Sequence, residues 1–351
     1  MRKISFAEAI REGTEQCMAQ DPRVYVMGLG VPDPGAIFGT TAGLQDKFGV
    51  DRVMDMPLAE NGMTGIAIGS AIAGMRPVMT HQRVDFMLLA VEQIVNHAAK
   101  MHYTSNGAFD VPLVIRAIIG RGWGQGPQHM QSLYSWFANI PGLKVVAPYS
   151  PEDAKGLMAA AIEDNNPVLF FEHRWLHHLV DSVPENYYTT PIGKAKILRS
   201  GGDVTIATIS HMTHEALAAA TLLEGCGISA EVIDVRSIRP IDSETILNSV
   251  RKTQRFVTAE PGWRVCGFCS ELISIVVENA FDSLKCAPQR FTHADYPLPA
   301  SPALSEHYFP RALDIARGVL SMFGRPEPSA WANIVSGQPH DTPNTKFTGP
   351  F

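Results

Sequence analysis

The chain has 351 residues, 45% hydrophobic and 18% charged, with a net charge of −6. That length and composition predict a globular protein of two domains with a large core, and a mildly acidic balance without a basic tract excludes nucleic acid and anionic membranes as expected partners. No apolar run approaches the roughly 20 residues that span a bilayer, and MRKISFAEAI enters an amphipathic helix without an apolar leader or an Arg/Ser-rich presequence, so the expected compartment is the cytoplasm.

In chain order, residues 5–20 predict a helix with Ile10, Cys17 and Met18 inward, and Val24 to Gly28 a strand. Residues 29–50 read as a Gly/Pro-rich loop with a short helix. Arg52 to Met56 predicts a strand that ends at Pro57. Glu60 and the turn pair Asn61-Gly62 follow, then a run of small residues of helical length to Gly74. A helix this rich in Gly is poor by roughly 1 kcal/mol per Gly against Ala, and it makes sense where another backbone approaches closely. Glu60 then falls at a strand-to-helix corner at the mouth of a sheet, where α/β proteins place their ligands.

Pro77 to Gln82 predicts a strand, and Asp85 to Met101 a helix with Leu88, Val91, Ile94 and Val95 at helical spacing. Leu113 to Gly120 is continuously apolar, as buried parallel strands are. Gly120 to Gly126 reads as a flexible loop; it has neither the Lys nor the spacing of a phosphate-binding P-loop. His129 follows it, and a His at a loop end suits proton transfer near neutral pH, or a structural hydrogen bond within the loop. Leu143 to Pro148 is a strand. Ser150-Pro151 starts a helix, Asp164-Asn165-Asn166-Pro167 ends it, and Val168 to Glu172 is the next strand.

The pattern breaks between Arg174 and Gly193, which places one domain at 1–190 and a second at 191–323. In the second, strands at Val204–Ile209, Ala230–Val235 and Phe256–Ala259 alternate with helices at Thr213–Glu224, after the Asp242 cap, and at Cys269–Phe281. Residues 324–351, rich in Pro, Gly, Asn and Thr, predict an extended or disordered tail. The five Cys are an odd, scattered set, which argues for reduced thiols. Cys266-Gly-Phe-Cys269 has the form of a redox or zinc half-site, but no second pair stands at zinc spacing, and both read as small buried thiols.

The segment PLAENGMTGIAIGSAIAGMRPV resembles the active-site segment of the β-subunit of thiamine-diphosphate-dependent 2-oxo acid dehydrogenases, of the pyruvate and branched-chain type within the transketolase superfamily. QIVNHAAK, VPLVIR, QHMQS, PGLKVVAPYSPEDAKGL, EDNNPV, EVIDVRSIRPID and SPALSEHYFP continue the resemblance over about residues 4–323. It implies an α/β fold of two domains, a parallel-sheet pyrimidine-binding domain followed by a transketolase C-terminal-like domain. It also implies oxidative decarboxylation of a 2-oxo acid with acyl transfer to lipoamide.

In such enzymes the cofactor's own aminopyrimidine removes the thiazolium proton as its imino tautomer, which a carboxyl on the ring nitrogen promotes. The resemblance gives that part to Glu60; the plain alternative is a helix-start Glu facing the dipole. It implies that Phe86 packs on the aminopyrimidine, that Leu58 and Gln82 line the same pocket, and that His129 faces the reacting carbon. It further implies a potassium ion held by the main-chain carbonyls of Leu113, Ala161, Asp164 and Asn166, where a water-capped helix end is the alternative. The Gly-Asp-Gly and Asn segment that holds Mg²⁺ and diphosphate is absent, which assigns Mg²⁺ to an α-subunit in an α2β2 heterotetramer, with a lipoyl-bearing acyltransferase as the further partner.

The chain departs from the family pattern at Leu29-Gly30, Thr80, His81, Arg83, Trp123, Gln125 and Met130, and most of these are expected to ring the pocket. Two rival functions stand beside the dehydrogenase: half of a split transketolase or acyloin synthase, which passes a two-carbon unit to an aldehyde, and a non-catalytic scaffold.

Overall fold

The computed structural model describes residues 2–33, 35–332 and 341–343. The chain divides into two compact units: residues 1–120, 131–192 and 238–240 form the first, and 121–130, 193–237 and 241–351 the second.

In the first unit, β1 (Arg2–Ser5) pairs antiparallel with β8 (Val180–Val183). The main sheet holds β2 (Val24–Gly28), β3 (Val53–Met54), β4 (Arg76–His81), β5 (Val114–Ile119), β6 (Lys144–Val146) and β7 (Val168–His173). Its order is β6-β7-β5-β4-β2-β3, closed beyond β6 by a late strand, Ser237–Arg239. The pairings among β2 to β7 are parallel. Such strands are covered on both faces and read as apolar runs; β2, β5 and β7 are buried at every position.

Local chemistry explains the helices that cover this sheet. Phe6–Gln20 starts at a capping box: the Ser5 hydroxyl accepts from the Glu8 N–H at 3.2 Å, and Glu8 Oε2 accepts from the Ser5 N–H at 2.7 Å. Pro151–Glu163 starts at Ser150, whose hydroxyl accepts from the Asp153 N–H at 3.1 Å. These two helices pack on one face of the sheet, with Ile10, Leu157 and Ile162 against Val26, Val78 and Phe170.

The small-residue helix runs from Glu60 to Ile72, so Asn61-Gly62 lies inside its first turn and is not a separate turn. The single helix expected over residues 85–101 is divided instead. Val84–Met87 is α-helical, Leu88–Ala90 is 3₁₀ and Gln93–Ala98 is a π-turn. Val84, Met87, Ala90, Ile94 and Ala98 are buried along this stretch, at the three- and four-residue spacing of a single helical face.

The second unit carries β9 (Lys196–Arg199), β10 (Val204–Thr208), β11 (Ala230–Asp234), β13 (Phe256–Trp263) and β14 (Gln289–His293) in the order β14-β13-β10-β11-β9; β12 is the late strand Ser237–Arg239 already placed. Only β9 pairs antiparallel among the described pairings of this sheet. Helices Met212–Glu224 and Ala312–Met322 form its core with the sheet, through Ala216, Leu223, Ile315 and Val319.

The expected extended tail is corrected in its first part. Ser329–Trp331 is a 3₁₀ turn, and Trp331 is 5% exposed within the second core; the large apolar ring ties the segment down. Residues 333–340 and 344–351 lie outside the described residues. The thiol reading is corrected at one position: Cys269 is buried, but Cys266 is exposed and left-handed at φ 55°.

Candidate active site

In the first sheet the chain leaves β2 for β3 on one side, then crosses back to place β4 on the other. The order reverses at β2, and the crevice outside the carboxyl ends of β2 and β4 is where open α/β sheets bind ligands. The backbones are close there: a side chain on Gly28 would collide with the Thr80 carbonyl oxygen. Gln82 spans the crevice, its Nε2 donating to the Leu29 carbonyl at 3.1 Å. Asp55 Oδ1 accepts from the Gly30 N–H at 2.9 Å and ties the end of β2 to the segment after β3.

Glu60 is the first residue of the helix that follows β3. It is 6% exposed. Its carboxyl makes no hydrogen bond or ion pair among the described residues. Beside it Met56 is buried, whereas Leu58 is 75% exposed. A carboxyl on a residue only 6% exposed, with no partner among the described residues, is an acid group left to bond a ligand. The residues thus fit a flat heterocycle that accepts or donates one hydrogen bond.

Phe86 is half-buried in the short helix Val84–Met87. Its neighbour Asp85 was not foreseen as a site residue. Asp85 Oδ1 accepts from Gln131 Nε2 at 2.7 Å, and its Oδ2 is buried without a hydrogen bond among the described residues. Burial raises this carboxyl, against the pull of Gln131 and Arg83. In the sequence Asp85 reads only as a helix-start Asp; the signal was its place beside Phe86.

His129 belongs to the second unit with its loop, whereas Glu60, Leu58, Gln82 and Phe86 belong to the first. The two feet of that loop, Gly120 and Gln131, both lie in the first unit and join through the Gly120 N–H to the Gln131 carbonyl at 3.0 Å. His129 is half-buried at the end of a 3₁₀ turn, Pro127–His129.

Thr80, His81 and Arg83 do not line an open surface, which corrects the expectation that they ring the pocket: they are 1%, 2% and 3% exposed. The reason is topological, since β4 is central and covered on both faces. Arg83 Nη1 donates to the Gly120 carbonyl at 3.0 Å and so anchors one foot of the His129 loop. Burial pushes its guanidinium down to about 10. His81 has no hydrogen bond on either ring nitrogen among the described residues, and burial pushes it down to about 4.

On β5, level with Thr80, Arg116 Nε donates to Glu172 Oε1 at 2.7 Å, with both side chains no more than 1% exposed. His177 Nε2 lies 3.3 Å from Glu172 Oε2. Burial alone would raise the Glu172 carboxyl, but the Arg116 charge and the His177 ring hold it down to about 2. Arg174 lies over the Phe38 ring at 4.3 Å.

The residues expected to hold potassium surround the end of helix Pro151–Glu163. The Leu113 carbonyl accepts from the Val168 N–H at 2.9 Å, and Asp164 Oδ1 accepts from the Asn166 N–H at 2.9 Å. Ala161 lies within the helix. Arg76 caps this end: it donates to the carbonyls of Ile162 at 2.9 Å and Asp164 at 3.2 Å, and to Asn165 Oδ1 at 2.7 Å. A cation at a helix C-terminus meets unpaired carbonyls and the negative end of the dipole.

Two family models match this chain: the transketolase pyrimidine-binding domain over residues 2–178 and the transketolase C-terminal domain over 193–315. They define a two-domain chain of the transketolase type. It is 43% identical over 320 residues to the mitochondrial pyruvate dehydrogenase E1 component subunit beta-1 of Arabidopsis thaliana, covering 90% of this chain and 88% of that one. It is 41% identical to pyruvate dehydrogenase E1 component subunit beta of Rickettsia felis, covering 90% and 97%. The acetoin:2,6-dichlorophenolindophenol oxidoreductase subunit beta of Cupriavidus necator is 42% identical, covering 90% and 96%. A solved split-gene transketolase, an inactive beta4 tetramer, shares the fold at a TM-score of 0.75 and 24% identity, covering 92% and 99%. The chain belongs to the pyruvate dehydrogenase E1 β-subunit family, thiamine-diphosphate-dependent enzymes of the transketolase type.

Proposed function

We propose that this chain holds the pyrimidine end of thiamine diphosphate. With an α-subunit, in an α2β2 heterotetramer, it decarboxylates a 2-oxo acid and passes the acyl group to a lipoyl-bearing acyltransferase. The observation that carries the reading is Glu60: a carboxyl on a 6%-exposed residue, with no partner among the described residues, at the corner after β3, the strand that follows the reversal of order at β2.

When bound, the cofactor supplies a carbon nucleophile and an electron sink for the substrate's carbonyl carbon. The chain's own residues do the rest. Glu60 holds a proton between its carboxyl and the pyrimidine ring nitrogen. Phe86 offers its face to the flat ring, and Gln82 and Leu58 border it. His129 would give its ring proton to the lipoyl sulfur that is released as the carbon nucleophile attacks the other sulfur and the S–S bond breaks.

Mg²⁺ and the diphosphate fall to the α-subunit, since no Gly-Asp-Gly and Asn segment occurs in this sequence. A potassium ion suits the carbonyls of Leu113, Ala161, Asp164 and Asn166. A carbonyl has two lone pairs, and the bonds from Val168 and Arg76 take one each on Leu113 and Asp164. The enzyme works in the cytoplasm; all five thiols are free.

The relative named for acetoin is as similar as those named for pyruvate dehydrogenase, so the test offers both substrate classes. The co-expressed pair is assayed against pyruvate, branched-chain 2-oxo acids and acetoin, with an artificial electron acceptor and with a lipoyl domain. Turnover of a 2-oxo acid with acylation of the lipoyl domain is the expected result. Condensation with aldehydes and no lipoyl acylation would overturn the reading in favour of a carboligase.

A further inference from the structure

The loop that carries His129 begins at Arg121, and the Arg121 side chain is only 1% exposed. Its guanidinium is held wholly by second-unit groups. Nη1 donates to the Pro299 carbonyl and Nη2 to the Ala300 carbonyl at 3.2 Å. Nε donates to the Asp341 carbonyl at 3.0 Å, and Nη2 to Asp341 Oδ2, also at 3.0 Å. Arg311, 8% exposed, takes the next two residues: Nη1 donates to the Thr342 carbonyl at 3.0 Å and Nη2 to the Pro343 carbonyl at 3.1 Å. Further along the loop, a side chain on Gly124 would collide with the Ala300 carbonyl oxygen, so the 299–300 backbone lies directly against it.

Two buried guanidiniums thus grip three consecutive residues of a tail that lies beyond residue 315, where the matched C-terminal-domain model ends. We propose that Asp341–Pro343 is a strap that positions the His129 loop, with Asp341 as a positioning residue acting through Arg121; this rests on the reading of His129 given above.

The physical reason is charge. The Pro299 and Ala300 carbonyls give Arg121 acceptors, but the carboxylate it pairs with is that of Asp341. A buried cation stripped of its carboxylate is strongly destabilised where it stands. It leaves that seat for water, and the first residue of the loop goes with it. The rest of the strap is neutral backbone held by Arg311, which is itself fixed beside Glu215 at 2.9 Å. Arg311 therefore seats the strap, and Asp341 transmits its position to the loop.

The test uses the full-length chain and amide hydrogen exchange of a peptide covering residues 122–130, with a peptide from the buried strand β10 as control. Loss of one charge-assisted bond predicts that Asp341→Ala exchanges about 10- to 100-fold faster in the loop and unchanged in the strand. Asp341→Asn keeps the acceptor oxygen and recovers part of the protection. Wild-type exchange in the loop of Asp341→Ala overturns the proposal, and so does a strand that accelerates equally, since Asp341 then supports the unit as a whole. In the assembled enzyme, Asp341→Ala should also lower lipoyl acylation more than decarboxylation. A loosened loop with acylation unchanged leaves the strap standing and refutes the role given to His129.

Discussion

Glu60→Gln separates the two parts that a carboxyl at this position can play. In the folded chain Glu60 has no hydrogen bond or ion pair among the described residues, so an amide of equal size removes no contact. What it does remove is the charge in the first turn of helix Glu60–Ile72, typically about 0.3–1 kcal/mol of dipole interaction. Unfolding entropy of roughly 2.1 cal/mol/K per residue gives about 0.7 kcal/mol/K for a chain of 351 residues, so the melting temperature should fall by less than about 2 °C. The chemical cost is far larger. A Gln cannot exchange a proton with the pyrimidine ring nitrogen, and loss of acid–base help of this kind is about 10²- to 10⁴-fold. The assay is deuterium exchange at the cofactor's thiazolium carbon in the assembled enzyme, beside a thermal melt of this chain without the cofactor. Exchange at the wild-type rate would refute the catalytic role. A melting temperature lowered by more than about 5 °C would refute the claim that Glu60 is without a structural partner.

His129→Ala should lose most lipoyl acylation, by about 10²- to 10⁴-fold, while keeping much of the decarboxylation seen with an artificial acceptor; an equal fall in both activities places His129 in the shared early steps. Acid should weaken the fold before it protonates the carboxylates. Burial holds the His81 and His177 rings down to about 4 and His293 to about 3, so the unfolded chain takes up protons below about pH 6.5 that the folded one refuses. Their contribution to stability is complete above that pH and is lost as pH falls from about 6.5 towards 4, by about 1.4 kcal/mol per ring per unit. The depressed Glu172 carboxyl adds its own loss only as pH falls from about 4.5 to about 2. His81→Phe removes a ring with two unpaired nitrogens; it should raise stability and narrow the difference between pH 7 and pH 5, measured by urea unfolding, by about 2 kcal/mol. An unchanged difference means that His81 is protonated or hydrated in the folded state.

What could be read from the sequence was what local chemistry decides. The Ser150 cap and the buried runs of β5 and β7 each depend on a few neighbouring residues. The unread parts depend on distant chain. The strand Ser237–Arg239 contains only three residues and takes its place from β6, far away in sequence. The division of residues 84–104 has no local signal, and the 3.6-residue period of Leu88, Val91 and Val95 was misleading because those three are only half-buried. Burial of His81 and Arg83 was hidden for a similar reason: polar side chains at a strand end look like surface until the central position of β4 is known. Spacing alone leaves Glu60 with two roles, and the proposed one rests on the resemblance of the motif blocks around it. Arg121 and Asp341, 220 residues apart, carried no signal that either would meet the other.

The Arg116–Glu172 pair constrains how this chain can drift over generations. Neither residue can be exchanged singly without leaving the other charged in a dry interior, a loss of about 3–5 kcal/mol set against a total stability of about 5–15 kcal/mol for a typical protein. Replacing both with apolar residues of like volume can be nearly neutral, yet the two codons stand 56 positions apart and mutate independently. His177 tightens the lock, because its ring also leans on Glu172. Lineages descended from this one should therefore keep all three residues or change them in a single sweep, and a variant found with only one altered should carry a compensating change within reach of the stranded charge.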